Sequence, residues 1–297
     1  MDHKVFLQSL SADEKVAFTE KSNQKGLAHL AAYAALTIGC AIWVWRLAPF
    51  WPVAFVVLAI LLSFTFTLQH ECTHDTPFQT RWLNSAVGFL TGVILFQPFL
   101  WFRYFHLAHH RHTNDPGHDP ELDGDGKPET WRDFIWHLST VPYWSAKVSV
   151  LWQNAFSQEF AHYIPTAARP KIQREARFML MIYTAAAVAL WFEPKVIIIW
   201  LLPLAAGFPF LRLYLLAEHG RCAFIANMFE NTRTTFTNRV IRFIAWNMPY
   251  HTEHHVFPNV PFHSLPALHR LMAQHLQVTS NGYTDFTRAY VSGFKSR

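Results

Sequence analysis

The residues best suited to chemistry in this chain are histidines at helical spacing. They form His70-x-x-x-His74, His106-x-x-His109-His110 and His251-x-x-His254-His255. Spacings of three and four place imidazoles on one helix face about one turn apart. Imidazole is the commonest metal-binding side chain and suits iron, zinc and copper. Eight clustered ligands, with H-x-x-H-H present twice, exceed the needs of one tetrahedral zinc and point to two metal ions. The Glu pairs and Glu-x-x-His of carboxylate-bridged di-iron bundles are missing. A metal-bound imidazole usually donates its second N–H to a carboxylate or carbonyl. That role falls to the acids beside the clusters: Glu71, Asp75, Asp115, Asp119, Glu218 and Glu253. His112 and His263 stand at the cluster margins as further ligand candidates, and Cys72 reads as a small buried apolar residue.

The elements that must position these groups are apolar. The chain is 51% apolar and only 15% charged, against about 25% charged in average globular domains. Mean hydropathy is only +0.08, so a few spanning helices with a substantial aqueous cap are expected. Leu27–Trp45 and Val53–Gln69 form one pair of uncharged runs. Phe178–Phe192 and Val196–Ala217 form another, with Arg212 the one charge inside it. A span needs roughly 17–25 apolar residues, so the run ending at Phe192 is expected to begin before Phe178.

A fifth run, Leu83–Trp101, separates the first two histidine clusters. One full crossing there would put those clusters on opposite sides of a bilayer, where they could not share metals. The run therefore reads as a re-entrant or interfacial hairpin. The expected fold is all-α, with four transmembrane helices, this hairpin, and a helical cap holding a dimetal site. It is one domain over 1–297: an N-terminal helical segment (1–26), membrane helices with the first two clusters (27–217), and a cap with the third (218–297).

Charge sets an orientation. Of 25 Lys and Arg, only Arg46 and Lys195 lie in the two outer turns. The positive-inside rule then makes the histidine side, and both termini, cytoplasmic. The net charge of +5 reflects a basic rim at the membrane, so nucleic-acid binding is not needed to explain it. Ser11-Ala12-Asp13-Glu14 reads as a capping box opening a short helix. Trp131–Tyr163 mixes aromatic and polar residues as interfacial helices do. The Pro-, Gly- and Asp-rich stretch at 115–127 reads as a loop. Its Asp123, Asp125 and Gly126 lack the spacing of a calcium-binding EF-hand.

The three clusters, written HECTH, HLAHH and HTEHH and each placed after an apolar helix, resemble those of the integral-membrane fatty-acid desaturase and hydroxylase superfamily. The flanks HLAHHRHTNDPGHDPEL and NMPYHTEHHVFPNVPFHSLPALH are similar to bacterial members, and the likeness runs from about Gln69 to His269. The resemblance implies a di-iron centre that uses O2 as co-substrate to remove hydrogen from an unactivated C–H bond, in a bacterial inner membrane. It implies His70, His74, His106, His109, His110, His251, His254 and His255 as ligands. By position, His219 at the exit of the fourth apolar run supplies a ninth histidine. Asn247 lies four residues before His251 and could contact one metal, provided the backbone around Pro249 is helical.

Desaturation of a fatty acyl chain is the favoured reaction. Hydroxylation of an alkyl, carotenoid or small amine substrate is the enzymatic alternative, because the ligands alone do not choose alkene over alcohol. A metal transporter is the non-enzymatic one, and it calls for ionisable groups deep inside the spans. Either oxidation needs two external electrons. No four-cysteine cluster, haem motif or G-x-G-x-x-G is present, so a separate ferredoxin, rubredoxin or similar donor is implied. A basic surface of Arg103, Arg111, Arg169, Lys171, Arg174 and Arg233 could dock it.

Overall fold

The computed structural model describes residues 2–123 and 126–294; Asp125 of the acidic loop lies outside them. Two short helices open the chain, α1 (His3–Ser9) and α2 (Ala12–Thr19). The capping box of α2 is present, with Ser11 and Glu14 each satisfying the other's backbone N–H. Two long apolar helices follow, α3 (Asn23–Trp45) and α4 (Trp51–Thr73). Next come α5 (Arg81–Leu95) and α6 (Phe99–His112), then α7 (Trp131–Leu138) and α8 (Val141–Phe156) over the expected interfacial stretch. A second long pair is α9 (Arg169–Phe192) and α10 (Leu202–His219), the latter entered through a π turn at Ile197–Leu201.

The C-terminal cap is built from α11 (Met228–Asn231), α12 (Arg239–Ile244), α13 (His251–Val256), α14 (Leu265–Met272) and α15 (Tyr283–Ser292). Two residues each of β1 (Thr234–Thr235) and β2 (Thr279–Ser280) pair in parallel, the one sheet among the described residues.

Four segments among the described residues are long and apolar enough to cross a membrane: Ala12–Trp45, Trp51–Thr73, Thr166–Phe192 and Ile197–His219. The chain is an all-α integral membrane protein. Helix α4 is central and packs against α3, α5 and α10. Its crossing with α10 is close because Gly207 presents no side chain: a Cβ there would collide with the backbone of Ala59 and with Ser63. At the far end Lys195 lies over the Trp45 ring at 5.8 Å, so the turns carrying Arg46 and Lys195 are neighbours.

The fifth apolar run is broken into two helices. α5 and α6 meet at 100°, and the corner has a residue-level cause. Phe96 ends α5 in the left-handed region (φ 57). Pro98, which has no N–H to continue a helix, then starts α6. The exposed backbone is satisfied from outside: Gln69 of α4 donates to the Gln97 carbonyl (3.0 Å), and Glu175 of α9 accepts from the Leu100 N–H (2.7 Å). Glu175 thus caps α6, whose own N-terminus has no side-chain cap. The hairpin turns the second histidine cluster back toward the first.

Candidate metal centre

Four segments deliver the histidines. His70 and His74 end α4, His106, His109 and His110 ride α6, His219 ends α10, and His251, His254 and His255 line α13. The imidazole nitrogens fall into two groups. His70, His74, His106, His110 and His254 converge on one point, and His109, His219 and His255 on a second. His251 joins the second group through its Nε2, 3.1 Å from that of His219. The groups adjoin, since His110 of the first and His255 of the second stack at 4.0 Å and 10°.

The donor set fits metal ions. In the first group Nε2 atoms face one another at 2.9 Å (His74–His106 and His106–His110) and 3.1 Å (His110–His254). A neutral imidazole has one donor and one acceptor. His70, moreover, has no hydrogen-bond partner among the described residues on either buried nitrogen. Such a ring of facing nitrogens cannot satisfy itself by hydrogen bonds alone and would suit a shared metal ion. Burial, then the neighbouring imidazoles, hold His251, His254 and His255 well below the ordinary histidine range. They stay neutral, the form that binds a metal.

The outer nitrogens show how the rings are aimed. His109 Nδ1 donates to Asp119 (2.9 Å), and His219 Nδ1 to the Asn231 carbonyl (3.0 Å). Thr113 gives its own hydroxyl proton to the His109 carbonyl and takes the His255 Nδ1–H at 3.1 Å. His255 Nε2 is left without a partner, as a ligand atom requires. Glu218 stands 3.4 Å from His251 Nδ1, and Glu71 3.8 Å from His254 Nδ1. Burial works against the Asp119 carboxylate, but His109 and the N–H groups of Glu121 and Asn114 hold it below the usual carboxyl range.

Three of the six flanking acids therefore approach a ligand ring, and the other three serve elsewhere. Asp75 pairs with Arg103 at 2.6 Å, Asp115 with His118 at 3.1 Å, and Glu253 with His269 and Thr234. His112 and His263 join neither group; His112 stacks on His118, and His263 bonds Ser264. The backbone before α13 is not helical. Trp246 and Asn247 are left-handed (φ 51 and 59), and the Asn247 side chain donates to the Phe262 carbonyl at 2.9 Å. Asn247 therefore does not share a helix face with His251.

The basic docking surface also needs correction. Arg233 is buried and donates to the Ala217 carbonyl at 2.6 Å, while Arg103 is bound to Asp75 and to the Cys72 carbonyl. Neither is free for a donor protein, whereas Arg111, Lys171 and Arg174 are exposed. Sequence reasoning missed Asn231 and Thr113. Asn231 holds three segments at once: its carbonyl takes His219, and its amide donates to the Thr113 and Ile225 carbonyls. Thr113 lies three residues after the second cluster, and that nearness was the one signal available. A cavity of about 490 Å³ between α1 and the 224–228 segment reaches His110 and His255. His110 is the one residue of the two groups that is not fully buried.

Paired histidine groups that could hold metal ions, set at one end of an apolar helical bundle, define a membrane protein of the histidine-cluster type. The chain belongs to the fatty acid desaturase family, whose model matches residues 45–287. It is 24% identical to an sn-1 oleoyl-lipid 12-desaturase of Anabaena variabilis, over 82% of this chain and 62% of that protein. It is 26% identical to a sphingolipid delta(4)-desaturase of Bos taurus, over 78% and 68% respectively. A fatty acid conjugase of Calendula officinalis is 35% identical over a shorter stretch, 23% of this chain and 18% of its own. The chain thus spans about three fifths of the Anabaena relative's length.

Proposed function

We propose that this chain is an O2-dependent oxidoreductase that holds two iron ions and desaturates a fatty acyl chain of a membrane lipid. The observation that carries this reading is the pair of adjoining imidazole groups at one end of the spanning helices. His70, His74, His106, His110 and His254 would hold one ion, and His109, His219, His251 and His255 the other. Bound there, the iron pair supplies the O2-dependent removal of hydrogen from an unactivated C–H bond.

The protein's part is ligation, orientation and exclusion of water. Asp119, Asn231 and Thr113 fix ring tautomers so that Nε2 faces inward. Burial keeps rings such as those of His251, His254 and His255 neutral and keeps bulk water from competing. Asn247, with its amide committed to Phe262, is assigned to shaping the turn before α13. The confinement of Lys and Arg away from the outer turns supports a cytoplasmic site and cytoplasmic termini. The absence of a redox cofactor motif supports an external electron donor.

The test is expression in a host with a reductase system, followed by lipid mass spectrometry under isotopic O2. The expected product is an alkene without incorporated label, absent from His110→Ala and His254→Ala. A labelled alcohol would replace desaturation by hydroxylation. Unchanged product in both variants would remove the histidine groups from the reaction.

A further inference from the structure

The cavity of about 490 Å³ beside α1 touches one ligand of each histidine group, His110 of the first and His255 of the second. None of its lining residues belongs to the four candidate spanning segments. A hydrated divalent cation cannot pass between apolar helices without giving up its water, which is costly. It has to reach the histidines from the aqueous side. His110 is the place to meet it, as the one residue of the two groups that is not fully buried.

This cavity also carries residues that neither group uses. His112 and Asp115 line it, and Asp115 is the one carboxylate among its lining residues. His118 stands beside them, its Nδ1 3.1 Å from Asp115 Oδ2, while His112 Nδ1 is 3.9 Å from the same oxygen. The three side chains meet water, 36% exposed for His112, 51% for Asp115 and 65% for His118. Imidazole and carboxylate are donor types that first-row divalent ions accept. Few donors in an open setting take an ion and release it, whereas the buried rings enclose one. Lys4 and Arg111 line the cavity too, but both are exposed, where water and salt screen their charge.

We propose that His112, Asp115 and His118 are an entry site for divalent metal, which takes the ion from water and passes it through the cavity to His110 and His255. Each transfer is an exchange of ligands: a bound water leaves as an imidazole nitrogen or carboxylate oxygen binds, with no change of oxidation state. One mouth serves both groups because the cavity meets a ligand of each. The assignment rests on the reading that the two groups hold metal, and its test needs no turnover.

The experiment adds cobalt(II) to the metal-free full chain in uncharged detergent and follows the cobalt absorption with time by stopped flow. Final cobalt content and its resistance to a chelator are measured separately, at equilibrium. The combined variant His112→Ala, Asp115→Ala, His118→Ala should take up cobalt about 10-fold more slowly and still reach the native content. Ala226→Trp, which narrows the cavity without removing a donor, should slow uptake as well. None of the four substituted side chains is buried, so both variants should keep the native thermal midpoint.

Uptake by the combined variant at the native rate would overturn the entry site. So would an unchanged rate with less cobalt bound at equilibrium, because the three residues would then retain metal rather than admit it. A native chain that takes up no cobalt would sink the metal reading and this site with it. Uptake slowed as expected, but without any lipid product in cells, would leave the entry site standing and count against the proposed reaction.

Discussion

The two histidine groups draw on α6 and α13 in common, yet they are backed in different ways. In the second group, His109, His219 and His255 each tie the nitrogen facing away from the centre to a named oxygen, on Asp119, Asn231 or Thr113, and only His251, with Glu218 3.4 Å from its Nδ1, among the described residues lacks such a bond. In the first, the Nδ1 atoms of His70, His110 and His254 have no hydrogen-bond partner, and Glu71 stands 3.8 Å from His254. Its rings are held by edge and face packing instead, as between His70 and His106 at 4.1 Å. One group is aimed by directional bonds, and the other is crowded into place with more ligands. Fewer ligands with fixed tautomers, against more ligands with freer rings, are two ways to secure an ion.

The largest expected effect separates the groups by ligand count. Metal analysis of His219→Ala should find about half the native metal, because a small group cannot spare a donor. His70→Ala, from the five-membered group, should retain most of it. Equal losses would break the distinction. Next in size, Asp119→Asn should speed loss of metal to a chelator by about 10–100-fold. For Glu71→Gln the separation exceeds hydrogen-bond range, so the shift should be about threefold or less. Matching shifts would mean that Glu71 moves onto His254 when metal is bound.

Smaller still, Asn231→Ala strips the buried partners of the His219 anchor and should cost about 1–3 kcal/mol in detergent unfolding. It should also loosen the second group's metal before the first's. Glu175→Ala removes the cap of α6 and should cost about 1 kcal/mol. Because α6 carries ligands of both groups, that variant should loosen both metals alike, and a loss confined to one would assign Glu175 another role.

The histidines that converge were legible because each set of rings needs helical spacing, and helical spacing is written in the chain. The bend was legible for a related reason: clusters that must meet cannot be separated by one straight crossing, and the run between them turns by 100° at Phe96–Pro98. What stayed hidden depends on contacts between distant segments. Asn231 is one polar residue in a short connector until α10 and the loop after α6 close around it. Glu175 belongs to an apolar helix pattern and gains its meaning from the N-terminus of α6. Arg233 erred the other way, counted as surface by its type and found inside by its fold.

The short helix α13 has a consequence for how the protein is made. It supplies His254 to one group and His251 and His255 to the other, and it is the last of the ligand-bearing segments to leave the ribosome. Every candidate spanning helix among the described residues precedes it in the chain. Insertion into the bilayer can therefore be finished while both ion-binding groups are still short of ligands. A chain cut before α13 would keep the candidate spanning helices and leave neither histidine group complete.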